Sequence, residues 1–483
     1  MDTAELGKRC AGFWLSLADW PRNAKNTDAG GYKVTDFAKM TLEELLCPEG
    51  HACACGRLHT TGLRRLYLGK GTIASLPDAL LAAKSKRPFI VSDENTDIAA
   101  GEQVRMILEK HQIPYVEYVF PKHDGHLEPD EYAVGALCMA FDPNCDSVLA
   151  VGSGVINDCC KVLAHAVKVP SLVVATAPSM DGYASDSASM IQNRMKITLY
   201  NACPVAVIAD TDILKKAPEQ MMKAGLGDML AKYISICEWR ISHIVTGEYY
   251  CENIAGLMRA SLSKIRKHAS GLLRREEDAL ENVMEGLVLS GVAMSFAKIS
   301  RPASGLEHYF SHLWEMKALR EGRCSALHGI QVGVGTCLTL NLCDHVRAMK
   351  PDAEKAKTAV AHFSSEAWEA EMRAIFGEKT AEDVIALESH LQKNTPRNHE
   401  KRLAKILLHW DEIQQVIHDE LPPKNVIVDL MKELQMVTTP QELGLTQQDA
   451  REAFFGSREI RDKYLTSSLL WDLGALHDFA QYL

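Results

Sequence analysis

Two groups of residues in this chain have the types and spacing to do chemistry. The first is Gly152-Ser153-Gly154, which follows the apolar run Val148–Val151 and precedes a helical pattern beginning near Val155 that carries Asn157 and Asp158. A strand, a glycine turn and a helix N-terminus in succession form an anion site. Backbone N–H groups point outward there, and missing Cβ atoms let a pyrophosphate approach. Asp93 ends the second apolar strand in Ser92-Asp93-Glu94-Asn95-Thr96. In dinucleotide folds a carboxylate at that place accepts the adenosine ribose hydroxyls and repels a 2′-phosphate, which favours NAD over NADP. The same residue would also serve as a helix N-cap.

The second group lies farther along the chain. Gly225-Leu226-Gly227-Asp228 reads as the opening of a helix with Asp228 near its start, and Glu307-His308-Tyr309-Phe310-Ser311-His312 and Leu327-His328-Gly329 follow. His308 and His312, four apart, share one helix face, which suits two metal ligands or one ligand and a catalytic neighbour. One carboxylate with two or three imidazoles suits a divalent transition metal that keeps a coordination position open to a substrate oxygen. A third cluster, Cys47, His51, Cys53, Cys55 and His59, crowds into thirteen residues and invites a zinc-knuckle reading. Cys53-Ala54-Cys55 is tighter than a CxxC turn, however, and no second ligand pair accompanies it. A structural or incidental origin is therefore the expectation.

The elements that must position these groups follow from hydropathy periods. Strands are expected at Leu66–Leu68, Phe89–Ser92, Val116–Phe120, Val148–Val151, Leu172–Ala175 and Val205–Ala209, with amphipathic helices at Ile98–His111, Pro129–Phe141 and Val155–Val167 between them. Short β-branched strands alternating with helices of that length are the mark of βαβ units and a parallel sheet. After Thr211 the strand signal vanishes. Helical spacing runs through Met221–Ile236, Cys251–Lys267, Glu277–Lys298, Ala353–Phe376, Ala381–Gln392 and Arg402–Glu420. The expected organisation is an N-terminal extension over 1–47, a Rossmann-like α/β nucleotide-binding domain over 48–215, and an all-α metal- and substrate-binding domain over 216–483 with added helices about 345–450. Pro218 can open the first of those helices at its first turn.

Composition narrows the function classes. The chain has 483 residues, 53 Lys+Arg against 63 Asp+Glu for a net charge of −10, and 47% hydrophobic residues. Wholesale disorder is excluded, and the acidic balance with no basic block argues against nucleic acid as partner. Asp158, Lys161 and Lys168 interrupt the most apolar region, so no membrane span is expected. The first residues, with Asp2 and Glu5, lack a signal-peptide pattern, and the 14 cysteines sit in apolar contexts as reduced thiols do. This reads as a cytoplasmic protein.

Together the motifs resemble the sn-glycerol-1-phosphate dehydrogenases, most closely the bacterial AraM type, within the iron-containing alcohol dehydrogenase and dehydroquinate synthase-like superfamily. The segments that carry the resemblance are Gly152–Asp158, Thr176–Ser185, Ala206–Thr211, Ala224–Tyr233, Ser300–His312 and Leu327–Gly329, in the family's order, with Glu459–Tyr464 and Leu470–Leu473 toward the C-terminus. The resemblance implies a dehydroquinate synthase-like fold. It implies that Gly152, Ser153, Gly154, Val155 and Ile156, with Thr176, Ala177, Pro178 and Ser179, contact NAD(H) or NADP(H), and that Ser185 lies on the cofactor side. It makes Asp228, His308 and His328 the ligands of one divalent ion (Zn, Ni or Fe), and Asp181, Asp228 and His312 the substrate-contacting and catalytic residues. Arg301 and Ser304 are expected on the phosphate for a chemical reason: a phosphoester dianion needs a fork donor and hydroxyls.

Three departures from the family pattern stand out: Ser153 in the middle of the glycine turn, Ile330 after the third histidine and its glycine, and a longer loop between His312 and His328. The expected activity is reversible reduction of dihydroxyacetone phosphate, a small phosphorylated partner, to sn-glycerol 1-phosphate, with a homodimer or larger homo-oligomer as the candidate assembly. The competing readings are a related polyol or alcohol (phosphate) dehydrogenase or a cyclase on the same scaffold, and a catalytically silent NAD- and metal-binding regulatory protein.

Overall fold

Alternating apolar side chains on short strands dictate a sheet with two buried faces. The computed structural model describes residues 36–121, 127–193 and 195–483. Most of the expected extension over 1–47 lies outside them. The strands in chain order are β1 (His51–Ala52), β2 (Leu58–His59), β3 (Arg65–Gly69), β4 (Pro88–Asp93), β5 (Val116–Phe120), β6 (Ser147–Gly152), β7 (Ser171–Ala175), β8 (Ser187–Gln192), β9 (Met195–Tyr200) and β10 (Ala206–Asp210). Six of them form one parallel sheet in the order β3-β10-β7-β6-β4-β5. These six are the expected strands, each within two residues of its expected bounds.

Helices α1 (Leu76–Ala82) and α2 (Glu102–Lys110) cover one face, where Leu76, Leu80, Val104 and Leu108 meet Leu149, Val151, Leu172 and Val174. Helices α3 (Glu131–Ala140) and α4 (Gly154–Val167) cover the other, where Leu137, Ile156, Cys160 and Leu163 meet Val148, Ala150, Val173 and Ala175. The faces alternate residue by residue along β6 and β7, as a doubly covered parallel sheet requires.

Among the described residues no strand follows Asp210. The helical half begins with α5 (Glu219–Leu230), α6 (Lys232–Thr246), α7 (Glu252–His268), α8 (Glu277–Ala297), α9 (Leu306–Glu321) and α10 (His328–Arg347). Three long expected helices are each divided in two: Met221–Ile236 at Ala231, Ala353–Phe376 at 362–364, and Arg402–Glu420 at His409. The first division corrects the place of Asp228. It lies in the last turn of α5, because the helix starts at Glu219 behind Pro218. The added helices are α11 (Ala353–Ala361), α12 (Ser365–Phe376), α13 (Glu378–Leu391), α14 (Pro396–Leu408), α15 (Trp410–Glu420) and α16 (Lys424–Glu433). One continuous core joins this half to the α3/α4 face of the sheet. No helix among the described residues is long and apolar enough to cross a membrane.

Close approach of three helices organises the centre. A Cβ added at Gly227 of α5 would overlap the carbonyl oxygen of Gly329 on α10, and one at Gly329 would overlap the Ala224 carbonyl on α5. On the other side of α10, a Cβ at Gly335 would overlap the Glu307 carbonyl on α9. Glycine costs helix stability of about 1 kcal/mol per site. Here it lets the backbones of α5, α9 and α10 touch, which draws Asp228, His308 and His328 toward one point.

Candidate active site

The nucleotide turn is built by packing. Gly152 ends β6, Ser153 precedes the first turn of α4, and a Cβ at Gly152 would come within 2.6 Å of the Ile156 side chain, itself in the core. The turn thus presents backbone N–H groups at the start of a 14-residue helix, the arrangement that favours an anion. The Thr176 N–H donates to the Gly152 carbonyl at 3.1 Å, which sets the loop Thr176–Ser179 beside the turn. Asp93 ends β4, the strand paired with β6, so it lies at the same edge of the sheet. Its carboxylate accepts from the Thr96 N–H at 2.8 Å, so the residue caps the short helix that follows.

Behind the turn, the buried Lys161 of α4 donates to the carbonyls of Gly182 (2.5 Å) and Ser187 (2.8 Å) and to the Ser185 hydroxyl (3.1 Å). The Ser185 hydroxyl donates to those same carbonyls. Its side chain is therefore engaged in fixing the 182–187 loop, which joins the start of β8 to the expected substrate contact Asp181.

The metal-type residues gather where α5, α9 and α10 meet. Among the described residues, ligand atoms of Asp181, Asp228 and His308 lie within 4.8 Å of one another, as do those of His312, Glu315 and His328. The two sets adjoin: the ring centroids of His308 and His328 are 5.3 Å apart, and those of His312 and His328 are 5.6 Å apart. His308 Nε2 is 3.4 Å from Asp228 Oδ1, while its Nδ1 is 2.9 Å from Glu307 Oε1. His328 Nδ1 is 3.1 Å from Glu315 Oε1 and 3.0 Å from the Ser311 hydroxyl. Both imidazoles therefore have a carboxylate at Nδ1. That partner fixes the ring orientation and leaves Nε2 as the atom that could ligate a metal.

Charge is balanced by a residue that motif spacing alone did not single out. Lys232, fully buried, lies 2.6 Å from Asp181 Oδ2 and 2.9 Å from Asp228 Oδ1, and donates to the Ala303 carbonyl at 3.0 Å. Burial pushes the Asp228 carboxyl up, but the Lys232 ammonium and His308 outweigh it and hold the group well below the usual range. Burial pushes Lys232 down, and Asp181 with Asp228 hold it above its ordinary value. Asp181 is oriented further by the Ser290 hydroxyl at 2.8 Å, and its own N–H donates to Asp228 Oδ2 at 3.0 Å. Burial lowers the His312 pKa to about 3, so this imidazole is neutral. Its Nδ1 lies 3.8 Å from Glu315 Oε2 and has no hydrogen-bond partner among the described residues.

Arg301 needs correction. Its guanidinium is buried and engaged on every side: Nε and Nη2 donate to Glu248 (2.9 and 2.5 Å), Nη1 to the Tyr464 carbonyl (2.9 Å) and Nη2 to the Ser242 hydroxyl (3.1 Å). No fork is left for a phosphate, and the residue ties the C-terminal segment to α6. Removing one partner of such a buried cluster costs about 3 kcal/mol. Arg301→Ala is therefore expected to lower the denaturation midpoint strongly, and an unchanged midpoint would contradict this role.

Cations that the sequence reading did not select stand nearby. Lys463 Nζ donates to the Ser304 carbonyl at 3.1 Å and lies 5.8 Å from the Tyr309 ring centroid. Arg461 Nη2 reaches the Thr198 hydroxyl at 3.4 Å, and Lys196 pairs with Glu315 at 2.7 Å. Burial and the neighbouring Arg301 and Arg461 push the Lys463 ammonium well below its ordinary range. Lys232 and Glu315 follow Asp228 and His312 by four and three positions, but that spacing alone does not tell a buried charge from a surface one. Arg461 and Lys463 fall in the Glu459–Tyr464 segment of the family resemblance, but nothing in that segment marks them as site residues, since they reach the site only through the fold.

Comparison with known proteins places this geometry. The family described as iron-containing alcohol dehydrogenase matches residues 67–218. The glycerol-1-phosphate dehydrogenase (NAD(P)+) of Halalkalibacterium halodurans is 36% identical over 289 residues, covering 59% of this chain and 72% of the relative. The chain belongs to the glycerol-1-phosphate dehydrogenase family. Similarity within that family extends into the added helices: the Bacillus licheniformis relative of the same description is 27% identical over 427 residues, 88% of this chain and 93% of its own. The crystal structure of glycerol dehydrogenase from Schizosaccharomyces pombe aligns with a TM-score of 0.58 at 16% identity, over 88% of this chain and 91% of that one. The fold is the dehydroquinate synthase-like fold expected of a glycerol-1-phosphate dehydrogenase.

Proposed function

We propose that this chain reversibly reduces dihydroxyacetone phosphate to sn-glycerol 1-phosphate, using NAD(P)H and one divalent ion held by Asp228, His308 and His328. One observation carries the reading. Two imidazoles, each fixed by a carboxylate at Nδ1, adjoin a buried carboxylate of strongly depressed pKa, all within reach of a neutral histidine whose Nδ1 is unpartnered. That donor set fits a divalent transition metal. The chemistry supplied there by such an ion is Lewis-acid polarisation of a carbonyl.

The chain's own residues do the rest. The backbone from Gly152 to Ile156 binds the pyrophosphate and Thr176–Ser179 walls the nicotinamide end. Asp181, held by Lys232 and Ser290, accepts a hydrogen bond from the substrate hydroxyl. Hydride passes from the dihydronicotinamide to C2 of the ketone, and His312 relays the matching proton to its oxygen. Lys463 and Arg461, with Ser304, replace Arg301 as the phosphate contacts.

The test is NADH oxidation with dihydroxyacetone phosphate, dihydroxyacetone and glyceraldehyde 3-phosphate across Zn, Ni and Fe, followed by chiral analysis of the product. No turnover of dihydroxyacetone phosphate in a metal-replete sample would overturn the reading. Lys463→Ala is expected to raise KM for dihydroxyacetone phosphate about 10- to 100-fold, the loss of one or two hydrogen bonds from an amine whose charge the phosphate dianion restores, and to leave dihydroxyacetone nearly unaffected. Equal losses with both substrates would remove Lys463 from the phosphate site. Asp93→Ser is expected to shift the NADPH-to-NADH preference about tenfold toward NADPH. An unchanged ratio would leave Asp93 as a helix cap alone.

A further inference from the structure

The cysteine-rich segment that looked incidental along the sequence acquires a partner in the fold. Hairpin strands β1 and β2 bring Cys53, Cys55 and His59 together, and Cys251, the residue before α7, meets them from 198 positions beyond Cys53. Ligand atoms of the four all lie within 4.8 Å of one another. Cys53 Sγ is 3.7 Å from Cys251 Sγ, and His59 Nε2 is 3.6 Å from Cys251 Sγ and 3.2 Å from Cys55 Sγ. A tetrahedral zinc site with zinc–sulfur bonds of about 2.3 Å and a zinc–nitrogen bond of about 2.0 Å has edges of about 3.8 Å between sulfurs and about 3.5 Å from sulfur to nitrogen.

The surroundings are those of a metal site. His59 is fully buried, and its Nδ1 lies 2.9 Å from the Phe296 carbonyl, an acceptor only. Nδ1 therefore carries the proton, and Nε2 turns its lone pair to the three sulfurs. Asn253 Nδ2 donates to Cys53 Sγ at 3.2 Å, and the Tyr249 hydroxyl is 3.3 Å from Cys55 Sγ. Arg57 stacks on the Tyr249 ring at 3.4 Å and donates to the Ala297 carbonyl, which holds the tyrosine in place. Cys47 and His51 take no part: they bond to Glu49 and to the Leu45 carbonyl.

We propose that Cys53, Cys55, His59 and Cys251 hold a zinc ion in a closed Cys3His site, separate from the catalytic centre. All four positions are protein ligands, so the ion is structural. It pins the hairpin to the start of α7 and, through His59, to the end of α8. Ser290, which orients Asp181, lies six residues earlier on α8, about 9 Å along the helix.

Cobalt exchange into the intact chain tests the site without reference to activity. A thiolate-to-cobalt charge-transfer band in the near ultraviolet, with tetrahedral d–d bands in the red, is the expected spectrum. Metal analysis is expected to find about one equivalent of zinc more per chain than in Cys251→Ser. Because Cys251 is buried, that variant can fail to fold, so the wild-type protein supplies a second measurement. Titrating its thiols with a mercurial is expected to release about one zinc per chain as these cysteines react. Cobalt uptake without thiolate bands, thiols that react with no zinc release, or a Cys53–Cys251 disulfide in the native protein would each overturn the proposal.

Discussion

Asp228→Asn is expected to abolish turnover of dihydroxyacetone phosphate, with kcat/KM lower by about 10³-fold or more, equivalent to at least about 4 kcal/mol of transition-state stabilisation. The substitution keeps the shape of the side chain and removes its charge. In the proposed centre that charge is the anionic ligand, 3.4 Å from His308 Nε2, and it also balances Lys232 at 2.9 Å. The variant should bind less than a tenth of the wild-type catalytic metal at equal protein concentration while keeping its circular dichroism spectrum. The readouts are metal analysis after dialysis and NADH oxidation in metal-replete buffer. A variant with full metal content and a near-wild-type rate would remove Asp228 from the centre.

Gly227→Ala should lower both stability and rate without touching any reacting group. Its Cβ would overlap the Gly329 carbonyl, and the Gly333 Cα lies 3.5 Å away, so α5 and α10 must separate. Overpacking of backbone against backbone costs about 3 kcal/mol. It also displaces Asp228, the next residue, relative to His328, and a shift of about 1 Å in such a constellation costs about 10²-fold in rate. Gly256→Ala on α7 is the control, because a Cβ there meets nothing within 4 Å. Alanine at that site should be neutral or add up to about 1 kcal/mol by helix propensity. Urea midpoints and kcat for the two variants decide the matter. Equal behaviour would show that the α5–α10 contact has slack.

What could be read from the sequence follows from the reach of each signal. The six sheet strands were legible because buried parallel strands are apolar runs, whereas β8 and β9 carry Ser, Gln, Lys and Thr and gave none. Helix breaks at Ala231 and His409 were invisible because helix-forming residues continue through them. Asp228, His308, His312 and His328 stood out by residue type. Glu307 and Glu315 did not, since a charged residue on a helix reads as surface until its histidine partner is placed. Arg301 was misread because Glu248 and Tyr464, which engage it, lie 53 and 163 positions away. Cys251 was missed for the same reason.

Sheet order has a consequence for how this chain acquires its structure. Among the described residues, edge strand β3 pairs with β10 alone, Arg65 against Ala206, and the Asp210 carboxylate that binds the Gly71 N–H lies 139 positions downstream of Gly71. During synthesis the hydrogen-bonding edge of β3 therefore waits for nearly the whole α/β half before it finds its partner. Such long-range pairing slows folding and leaves an open strand edge in the interim. Arg64, Arg65 and Lys70 flank that edge, and their like charges disfavour pairing with a second nascent chain.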